Sequence, residues 1–401
     1  MFDFIKELSF VRIAGSKEEL KAANMIIDKC QSLCYDAFLE PFNIPFSNVT
    51  VEKCVINGKE YEVTGFLRST NINGDFSLVY VDHIDNIKNL DLDGKVALLY
   101  HRINYKAYEE LAKKNVIAII AASGSLYDNR EDTDLEINIL RDKHLEHGVI
   151  PCFTLRLMDI EEIVLNDYHN GHLELEQTQV EVESNNVIVS VKGRRKETIV
   201  LTAHYDSVFF SKGAYDNASG AATLLDLMSR INKDDLEYSL RFVFCGAEER
   251  GLLGSKYHTS IKENLENVIL NINVDMTGVT LGYDLCCVSG NDSLLNYAKS
   301  VCLAAGFNVY VYEGAYSSDS TPFADNGVVS LTFARDAYST GARIHSRLDN
   351  GNFMNAKSFN HSCDIIYNFL NNVLTSKYIP YDLEVSPKVK DLVDKYYFRK
   401  K

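Results

Sequence analysis

The sequence predicts an α/β fold with a mixed, mostly parallel sheet that helices cover on both faces, and with an inserted β-rich lobe. Beyond residue 183, near-continuous apolar runs alternate with amphipathic helical segments, as in sheets that are buried on both faces. Between residues 49 and 182, short runs alternate apolar and polar residues, with turn signals at Asn57-Gly58 and Asn73-Gly74. We therefore expect a main domain of residues 1–48 and 183–401, and an inserted domain of residues 49–182.

The main domain is expected to begin with a helix and continue as alternating strands and helices. Ser16 and Glu19 form a capping box at the start of residues 16–34. The apolar face of this helix is expected to hold Leu20, Ala23, Ile27, Cys30 and Cys34. Strands are expected at residues 37–42, 185–193, 198–204, 240–245, 267–275, 307–312 and 328–333, and further helices at 218–231, 291–306 and 360–374.

The inserted domain is expected to contain several strands and one or two helices. Residues 93–101, 116–122 and 149–155 are apolar runs of strand length, and residues 106–115 have the pattern of a helix. No tandem repeat and no long linker separates this region from its surroundings. It therefore reads as an insertion into the main domain.

Composition and charge exclude several classes of protein. The chain has 401 residues, of which 46% are hydrophobic and 24% charged, as in ordinary globular proteins. With 41 basic and 56 acidic residues its net charge is −15, which repels nucleic acids and anionic membranes. The strongest apolar run, residues 116–122, is far shorter than the roughly 20 residues of a membrane helix. We expect no nucleic-acid partner and no membrane association.

Two further features bear on the cellular location. The N-terminal residues lack a basic region followed by an apolar stretch and a cleavage site, so no secretory signal is expected. The nine cysteines are scattered without CxxC spacing, which favours reduced thiols over a disulfide framework. Both features predict a cytoplasmic protein.

The residues that carry chemistry lie just past the ends of predicted strands, where ligands bind in open α/β sheets. His204 and Asp206 follow one strand, and a carboxylate at this spacing can fix the tautomer of the imidazole. Asp216 precedes an apolar helix, where it either caps the helix or bridges two cations. The first pair also has an ordinary alternative, a histidine at a strand end beside a capping aspartate.

Three more candidates follow later strands. Glu248 and Glu249 are adjacent after a buried strand, a costly arrangement unless a cation or substrate uses it, although a solvated loop is the alternative. Asp275 ends an apolar strand, and His345 is followed by Asp349, a possible imidazole partner. Two His, two Asp and one Glu without a thiolate suit a catalytic zinc pair. Such a pair can share a bridging carboxylate and a water, with a further glutamate as its base.

The order AHYDS, GAYDNASG, GAEERGLLGS, NVDM and a late His closely resembles the co-catalytic di-zinc aminopeptidases of the aminopeptidase Y and aminopeptidase S type. The resemblance covers residues 183–375 and, less closely, the first 45 residues. It implies the zinc-aminopeptidase fold, two zinc ions per chain and peptide substrates. The inserted region is similar to a protease-associated domain, through residues 93–123 and 149–155. In the family such an insertion lies beside the cleft and influences access.

The resemblance also implies a role for each candidate residue. His204 and Asp275 would hold one zinc ion, Glu249 and His345 the other, and Asp216 would bridge them. Glu248 would be the general base, and Asp206 would orient His204. From its spacing, Asp349 is expected to be the partner of His345.

The sequence departs from the family pattern at two places. Ile344 stands where the family often has a Tyr that hydrogen-bonds the tetrahedral intermediate. Tyr316, Tyr338 or Arg343 are candidates to replace it, or zinc alone stabilises the oxyanion. Ser320 stands where His is usual in the family's SDHxPF loop. Because the ligand set does not include that position, substrate contacts are more affected than metal binding.

The function implied by the resemblance is the removal of N-terminal residues from peptides. A glutaminyl cyclase with one zinc ion and a carboxypeptidase of the same clan are alternatives, and Arg343 is a residue that could hold a carboxylate. A non-catalytic binding or scaffold protein without metal is a third. The sequence makes no prediction of the oligomeric state, the preferred N-terminal residue or the peptide length.

Overall fold

The computed structural model describes residues 1–338 and 341–400. The chain divides into two compact units, Met1–Ile44 with Glu183–Lys401, and Pro45–Val182. The sequence analysis places the boundary between the first segment and the inserted domain after residue 48, four residues later than the division between Ile44 and Pro45 in the structure. One strand, Ala37–Ile56, runs through both positions, so no change of pattern marks the boundary in the sequence.

The larger unit is built on a sheet in which most neighbouring strands are parallel. In the described residues the strands follow in spatial order: Tyr310–Glu313, Tyr283–Ser289, Ser330–Asp336, Val268–Val274, Thr198–His204, Ser239–Cys245 and the end of Asn170–Val191. Four of these six neighbouring pairs are parallel. Two pairs are antiparallel: Tyr283–Ser289 with Ser330–Asp336, and Ser239–Cys245 with residues 187–191. The predicted mixed, mostly parallel sheet is confirmed.

Helices cover both faces of this sheet, which explains its continuous apolar strands. Ile199 and Leu201 belong to the large hydrophobic cluster on one face, whereas Val200 belongs to a smaller cluster with Phe323 on the other. The helices of the unit are Phe2–Leu8, Lys17–Ser32, Ser219–Arg230, Leu253–Ser260, Lys262–Leu265, Asp292–Ala304, Ser320–Asp325, Ala356–Leu374 and Pro387–Tyr396. Within the described residues, no helix combines the length and apolarity that crossing a bilayer requires.

The second helix differs from its prediction in which face is buried. Ser16 caps it by accepting a hydrogen bond from the backbone N–H of Glu19 at 3.1 Å, as predicted. The buried residues of the helix are Glu19, Ala22, Ala23, Ile26 and Cys30, and Leu20 is 42% exposed. The predicted apolar face was therefore correct for Ala23 and Cys30 and wrong for Leu20 and Cys34, which are exposed, because the buried stripe runs through Glu19 instead.

The inserted unit is α/β rather than a set of hairpins. Its strands are the end of Ala37–Ile56, Lys59–Tyr61, Thr64–Gly65, Ile72–Val81, Val96–Leu99, Ala118–Ser123, Cys152–Arg156 and the start of Asn170–Val191. Its α-helices are Tyr105–Lys113, Asp142–Leu145 and Leu157–Leu165, and its 3-10 turns are Ile84–Asn89 and Arg130–Asp132. Four consecutive strands, from Ile72–Val81 to Cys152–Arg156, pair in parallel.

One of the two predicted turns of this unit forms and the other does not. Asn57 and Gly58 have φ values of 49° and 79° and connect two antiparallel strands, as an Asn-Gly hairpin turn requires. Asn73 and Gly74 instead lie inside a strand, paired with Glu174 and Leu173. The prediction of a turn there was wrong, since pairing across the sheet outweighs the local turn preference.

The helix Ala356–Leu374 is held on the sheet by Phe369, and truncating that side chain should destabilise the fold. Phe369 is fully buried, with its ring 5.4 Å from the ring of Phe333 and 5.8 Å from that of Tyr297. We expect Phe369→Ala to lower the free energy of unfolding by about 3–5 kcal/mol, measured by urea denaturation. Leu303→Ala on another helix is the control, because Leu303 is 78% exposed. Equal losses in the two variants would contradict the packing described here.

Candidate metal centre

The parallel strands bring the predicted site residues to one edge of the sheet. His204 ends the strand Thr198–His204. Asp275 directly follows the strand Val268–Val274, which pairs with Thr198–His204 in the sheet. Glu248 and Glu249 follow the strand on the other side, Ser239–Cys245. Because parallel strands end at the same edge, residues far apart in the chain meet there.

Asp216 lies between the two histidines, with one carboxylate oxygen facing each. Its Oδ1 is 3.1 Å from His204 Nε2, and its Oδ2 is 3.1 Å from His345 Nε2. His204 Nε2 is also 3.6 Å from Asp275 Oδ1, and His345 Nε2 is 3.2 Å from Glu249 Oε2. The structure thus brings together the five residues that the sequence predicted as metal ligands.

These five residues form two groups, either of which has the donors for a metal ion. The groups are His204, Asp216 and Asp275, and Asp216, Glu249 and His345, and within each the donor atoms lie within 4.8 Å of one another. In the described part of the chain, the buried atoms Asp275 Oδ1 and Glu249 Oε1 have no hydrogen-bond partner. Buried carboxylate oxygens without partners are costly unless a cation is bound. Nitrogen and oxygen donors without a thiolate fit zinc.

The pKa values of these five residues are shifted because several carboxylates are buried close together. Burial raises the pKa of Asp275 and of Glu249. Burial opposes the charged form of Asp216 as well, but hydrogen bonds from His204 and His345 outweigh it and lower the pKa of Asp216. The pKa of His345 rises to about 12, because Glu249 and Asp216 outweigh its burial.

Glu248 belongs to neither group of donor atoms and lies beside both. Its pKa is raised by burial and by repulsion from Glu249 and Asp319. A carboxylate that is next to a metal centre without being a ligand can accept and return a proton.

Asp206 supports both His204 and the turn that carries the two glutamates. Its Oδ1 lies 3.4 Å from His204 Nδ1, the contact expected from the sequence. The same carboxylate accepts hydrogen bonds from the backbone N–H groups of Glu248 at 3.1 Å and of Glu249 at 3.2 Å. Asp206 therefore fixes the position of the glutamate pair relative to His204.

Asp349 has different partners from those predicted. Its Oδ1 accepts a hydrogen bond from the N–H of Tyr215 at 2.8 Å, and its Oδ2 from the N–H of Asp216 at 3.0 Å. The prediction that it pairs with His345 was wrong, because the chain turns between them, with the N–H of Asp349 donating to the carbonyl of Ser346. Asp349 instead holds the backbone of the bridging residue.

Asn217 ties the Asp216 segment to the end of the neighbouring strand. Its Nδ2 donates to the carbonyl of Val274 at 2.9 Å, and its Oδ1 accepts from the N–H groups of Gly220 and Met276. A Cβ at Gly220 would lie about 2.5 Å from the Asn217 side chain and from the Val274 carbonyl. Glycine is therefore required for this close approach, in line with the small residues noted after Asp216 in the sequence.

The positions that depart from the family pattern have other contacts. Ser320 is buried, and its hydroxyl lies 3.0 Å from that of Ser318 and 2.8 Å from that of Thr332. Tyr338 is 79% exposed and Arg343 is exposed, whereas Tyr316 is partly buried. Burial and nearby Asp275 raise the pKa of Tyr316.

Sequence reasoning missed three buried charged residues that support the site. Asp319 is fully buried and accepts a hydrogen bond from Ser255 at 2.5 Å. Glu19 accepts from the N–H of Gly15 at 2.6 Å and from the Ser184 hydroxyl at 2.7 Å. The third is Arg12, which is fully buried. The sequence feature that could have revealed Glu19 is its position on the buried stripe of the helix. No feature of the sequence points to Arg12.

Comparison with known proteins shows which proteins the chain is similar to. Residues 186–370 match the model of Peptidase family M28. Aminopeptidase YwaD of Bacillus subtilis is 29% identical over 338 residues, which cover 80% of this chain and 71% of that protein. Aminopeptidase Y of Saccharomyces cerevisiae is 25% identical over 219 residues, which cover 52% of this chain and 40% of that protein. The resemblance found in the sequence is confirmed.

A solved structure shares the fold over almost its whole length. The structure of BSAP, a zinc aminopeptidase from Bacillus subtilis, superposes with a TM-score of 0.77 at 22% identity, covering 96% of this chain and 98% of that chain. At this level of identity the likeness establishes the common fold.

The buried Glu19 should make the stability of the metal-free protein depend on pH. Burial, and repulsion from Asp206, raise the pKa of Glu19 from 4.5 to about 8. Between these values the folded protein retains a proton that the unfolded chain releases, so its contribution to stability is lost as the pH rises through this window. We expect Glu19→Gln to show a shallower fall in unfolding free energy with pH than wild type, in urea titrations with chelator. Glu18→Gln is the control, since Glu18 is exposed. Identical slopes for all three proteins would refute the raised pKa.

Proposed function

We propose that the protein, of which residues 186–370 match the model of Peptidase family M28, is a zinc-dependent aminopeptidase that uses two zinc ions and a glutamate base. The observation that carries this proposal is the Asp216 carboxylate, whose two oxygens face His204 and His345, 3.1 Å from each. One carboxylate shared by two sets of donors is the arrangement that a pair of metal ions requires. The names of the relatives support the same activity.

Five side chains would hold the two ions. One ion would be bound by His204 and Asp275, the other by Glu249 and His345, and both by Asp216. When bound, zinc polarises the scissile carbonyl and lowers the pKa of a water molecule at the site. The hydrogen bonds of Asp206 and Asp349 keep the donors in place before and after the ions arrive.

Glu248 would move the protons of the reaction. Its carboxylate takes a proton from the attacking water and later transfers it to the nitrogen of the leaving amine. Its raised pKa suits a group that must hold this proton between the two steps. The Asp206 carboxylate binds the backbone N–H of Glu248, which limits the movement of the base relative to His204.

The charge of the site supports a substrate with a free amino terminus. Carboxylates outnumber imidazoles around Asp216, and Glu248 and Asp319 add to them. Two zinc ions would offset the charge of the three carboxylate ligands, so Glu248 and Asp319 would remain to attract the α-ammonium group of a peptide. Together with the names of the relatives, this favours an aminopeptidase over a carboxypeptidase of the same clan.

We also propose that the protein acts in the cytoplasm on peptides. The nine cysteines are all free, and only Cys34 among them is exposed. Reduced thiols of this kind suit a reducing compartment. The net charge of −15 supports peptides over nucleic acids as substrates.

The number of zinc ions distinguishes the proposal from its alternatives. We expect the purified protein to bind two zinc ions per chain, and chelation to abolish hydrolysis of aminoacyl-nitroanilides, with activity restored by two equivalents of zinc. N-blocked peptides serve as the control and should remain uncleaved. One zinc per chain with release of pyroglutamyl product would establish the cyclase instead, and no bound metal would indicate a scaffold.

The two adjacent glutamates should respond differently to the same substitution. Glu248→Gln removes the base and keeps the volume of the side chain, so we expect turnover to fall by about 10²–10⁴ with zinc content unchanged. Glu249→Gln removes a ligand, so zinc content should fall and excess zinc should partly restore activity. The measurements are steady-state kinetics and metal analysis of both variants. Loss of zinc in Glu248→Gln but not in Glu249→Gln would reverse the two roles.

A further inference from the structure

Arg12 is a fully buried arginine outside the segment that matches the family model. It lies between the helices Phe2–Leu8 and Lys17–Ser32. Its guanidinium donates hydrogen bonds to five backbone carbonyl oxygens: those of Leu8 at 2.9 Å, Phe10 at 3.1 Å, Lys212 at 2.6 Å, Gly213 at 2.7 Å and Tyr205. Two of its three nitrogen atoms, Nε and Nη2, donate only to residues about 190 to 200 positions away in the chain.

Those distant carbonyls belong to the loop of residues 205–213, which joins His204 to the Asp216 segment. The backbone of Arg12 holds the same loop, because its N–H donates to the Ser207 hydroxyl and its carbonyl accepts from the Ser207 N–H, both at 3.1 Å. The Ser207 hydroxyl also lies 3.0 Å from the carbonyl of Ser211, to which it donates. The loop is therefore fixed by one residue at its beginning, its middle and its end.

Both ends of this loop lead directly to metal ligands. Tyr205, whose carbonyl Arg12 binds, lies between His204 and Asp206. Gly213 has a φ of 52°, and a Cβ there would lie 2.5 Å from the carbonyl of Asp216 and 2.9 Å from Arg12 Nη2. The guanidinium thus packs against the turn from which the bridging carboxylate projects.

The charge of Arg12 belongs to the electrostatics of the same site. Burial lowers the pKa of Arg12 to about 10, while Asp206, Asp349 and Asp216 oppose that effect. The guanidinium therefore keeps its charge at neutral pH, without occupying the carboxylate oxygens that the metal ions need. A planar group with five N–H donors can bind several carbonyls at once, which the compact ammonium of lysine cannot do.

We propose that Arg12 is a positioning residue for the metal centre: it holds the 205–213 loop so that His204 and Asp216 stand at the separation that a shared cation requires. The inference rests on the proposed zinc-dependent function. It concerns the preorganisation of the ligands and assigns Arg12 no contact with substrate or with the reacting atoms.

The test is the zinc affinity of Arg12 variants, measured by competition with a chromophoric chelator. We expect Arg12→Lys and Arg12→Met both to weaken the binding of zinc by about 10–100-fold, the range for residues that hold metal ligands in place. Excess zinc should restore much of kcat. Arg230→Lys is the matched control, because Arg230 pairs with Asp226 of its own helix and with Asp364 of the helix Ala356–Leu374, and this variant should keep wild-type zinc affinity.

Each result decides between the inference and its alternatives. If Arg12→Lys binds zinc like wild type and only Arg12→Met is weakened, charge rather than geometry is responsible and the inference is overturned. Wild-type affinity in both variants overturns it too, whereas a wild-type protein that binds no zinc refutes the proposed function instead. If neither variant folds, Ser207→Ala replaces them, since it removes only the hydroxyl contacts of the same loop. A zinc affinity for Ser207→Ala within twofold of wild type would then contradict the inference, and a weaker one would support it.

Discussion

The burial of the Asp216 carboxylate between two imidazoles is the interaction on which the larger unit depends. Each of its oxygens lies 3.1 Å from one histidine nitrogen, and the pKa of Asp216 falls because hydrogen bonds from these histidines outweigh its burial. An ionised carboxylate in such a place is unstable unless its neighbours hold it. Asp349 accepts a hydrogen bond from its backbone N–H, Asn217 ties the segment to the next strand, and Arg12 fixes the loop that precedes it.

The ligands themselves could be predicted because their chemistry is visible over a few residues. His204 and Asp206 stand at the end of an apolar strand, Glu248 and Glu249 just after another, and Asp275 at the end of a third. Strand ends in a parallel sheet meet at one edge, which brings these residues together, whereas the roles of the residues, including Asp216 and His345, were implied by the resemblance. The mixed sheet followed from the same apolar runs.

The supporting residues other than Asp206 could not be predicted, because their partners are set by long-range geometry. Arg12 and the carbonyl that its Nε binds are 193 residues apart. The partners of Asp349 depend on a turn after His345, and the turn signal at Asn73-Gly74 was overridden by pairing across a sheet. Glu19 was assigned to a capping role alone, since a carboxylate on a buried stripe is recognised only when its acceptor contacts with Gly15 and Ser184 are known. In each case a tertiary contact outweighs a local preference.

Most of the hydrogen bonds that hold the candidate ligands involve backbone groups, and this explains how the sequence can depart from the pattern of similar proteins without moving these residues. Asp206 binds the N–H groups of two glutamates, and Arg12 binds carbonyl oxygens. Backbone donors and acceptors are the same whatever the side chain, so neighbouring positions are free to vary. Ser320 replaces the usual His by joining a buried cluster of hydroxyls, a local exchange that leaves the metal ligands where they are. Variation at such positions leaves the candidate donor atoms in place, whereas Asp206, Asp349 and Arg12 hold the backbone that carries these donors.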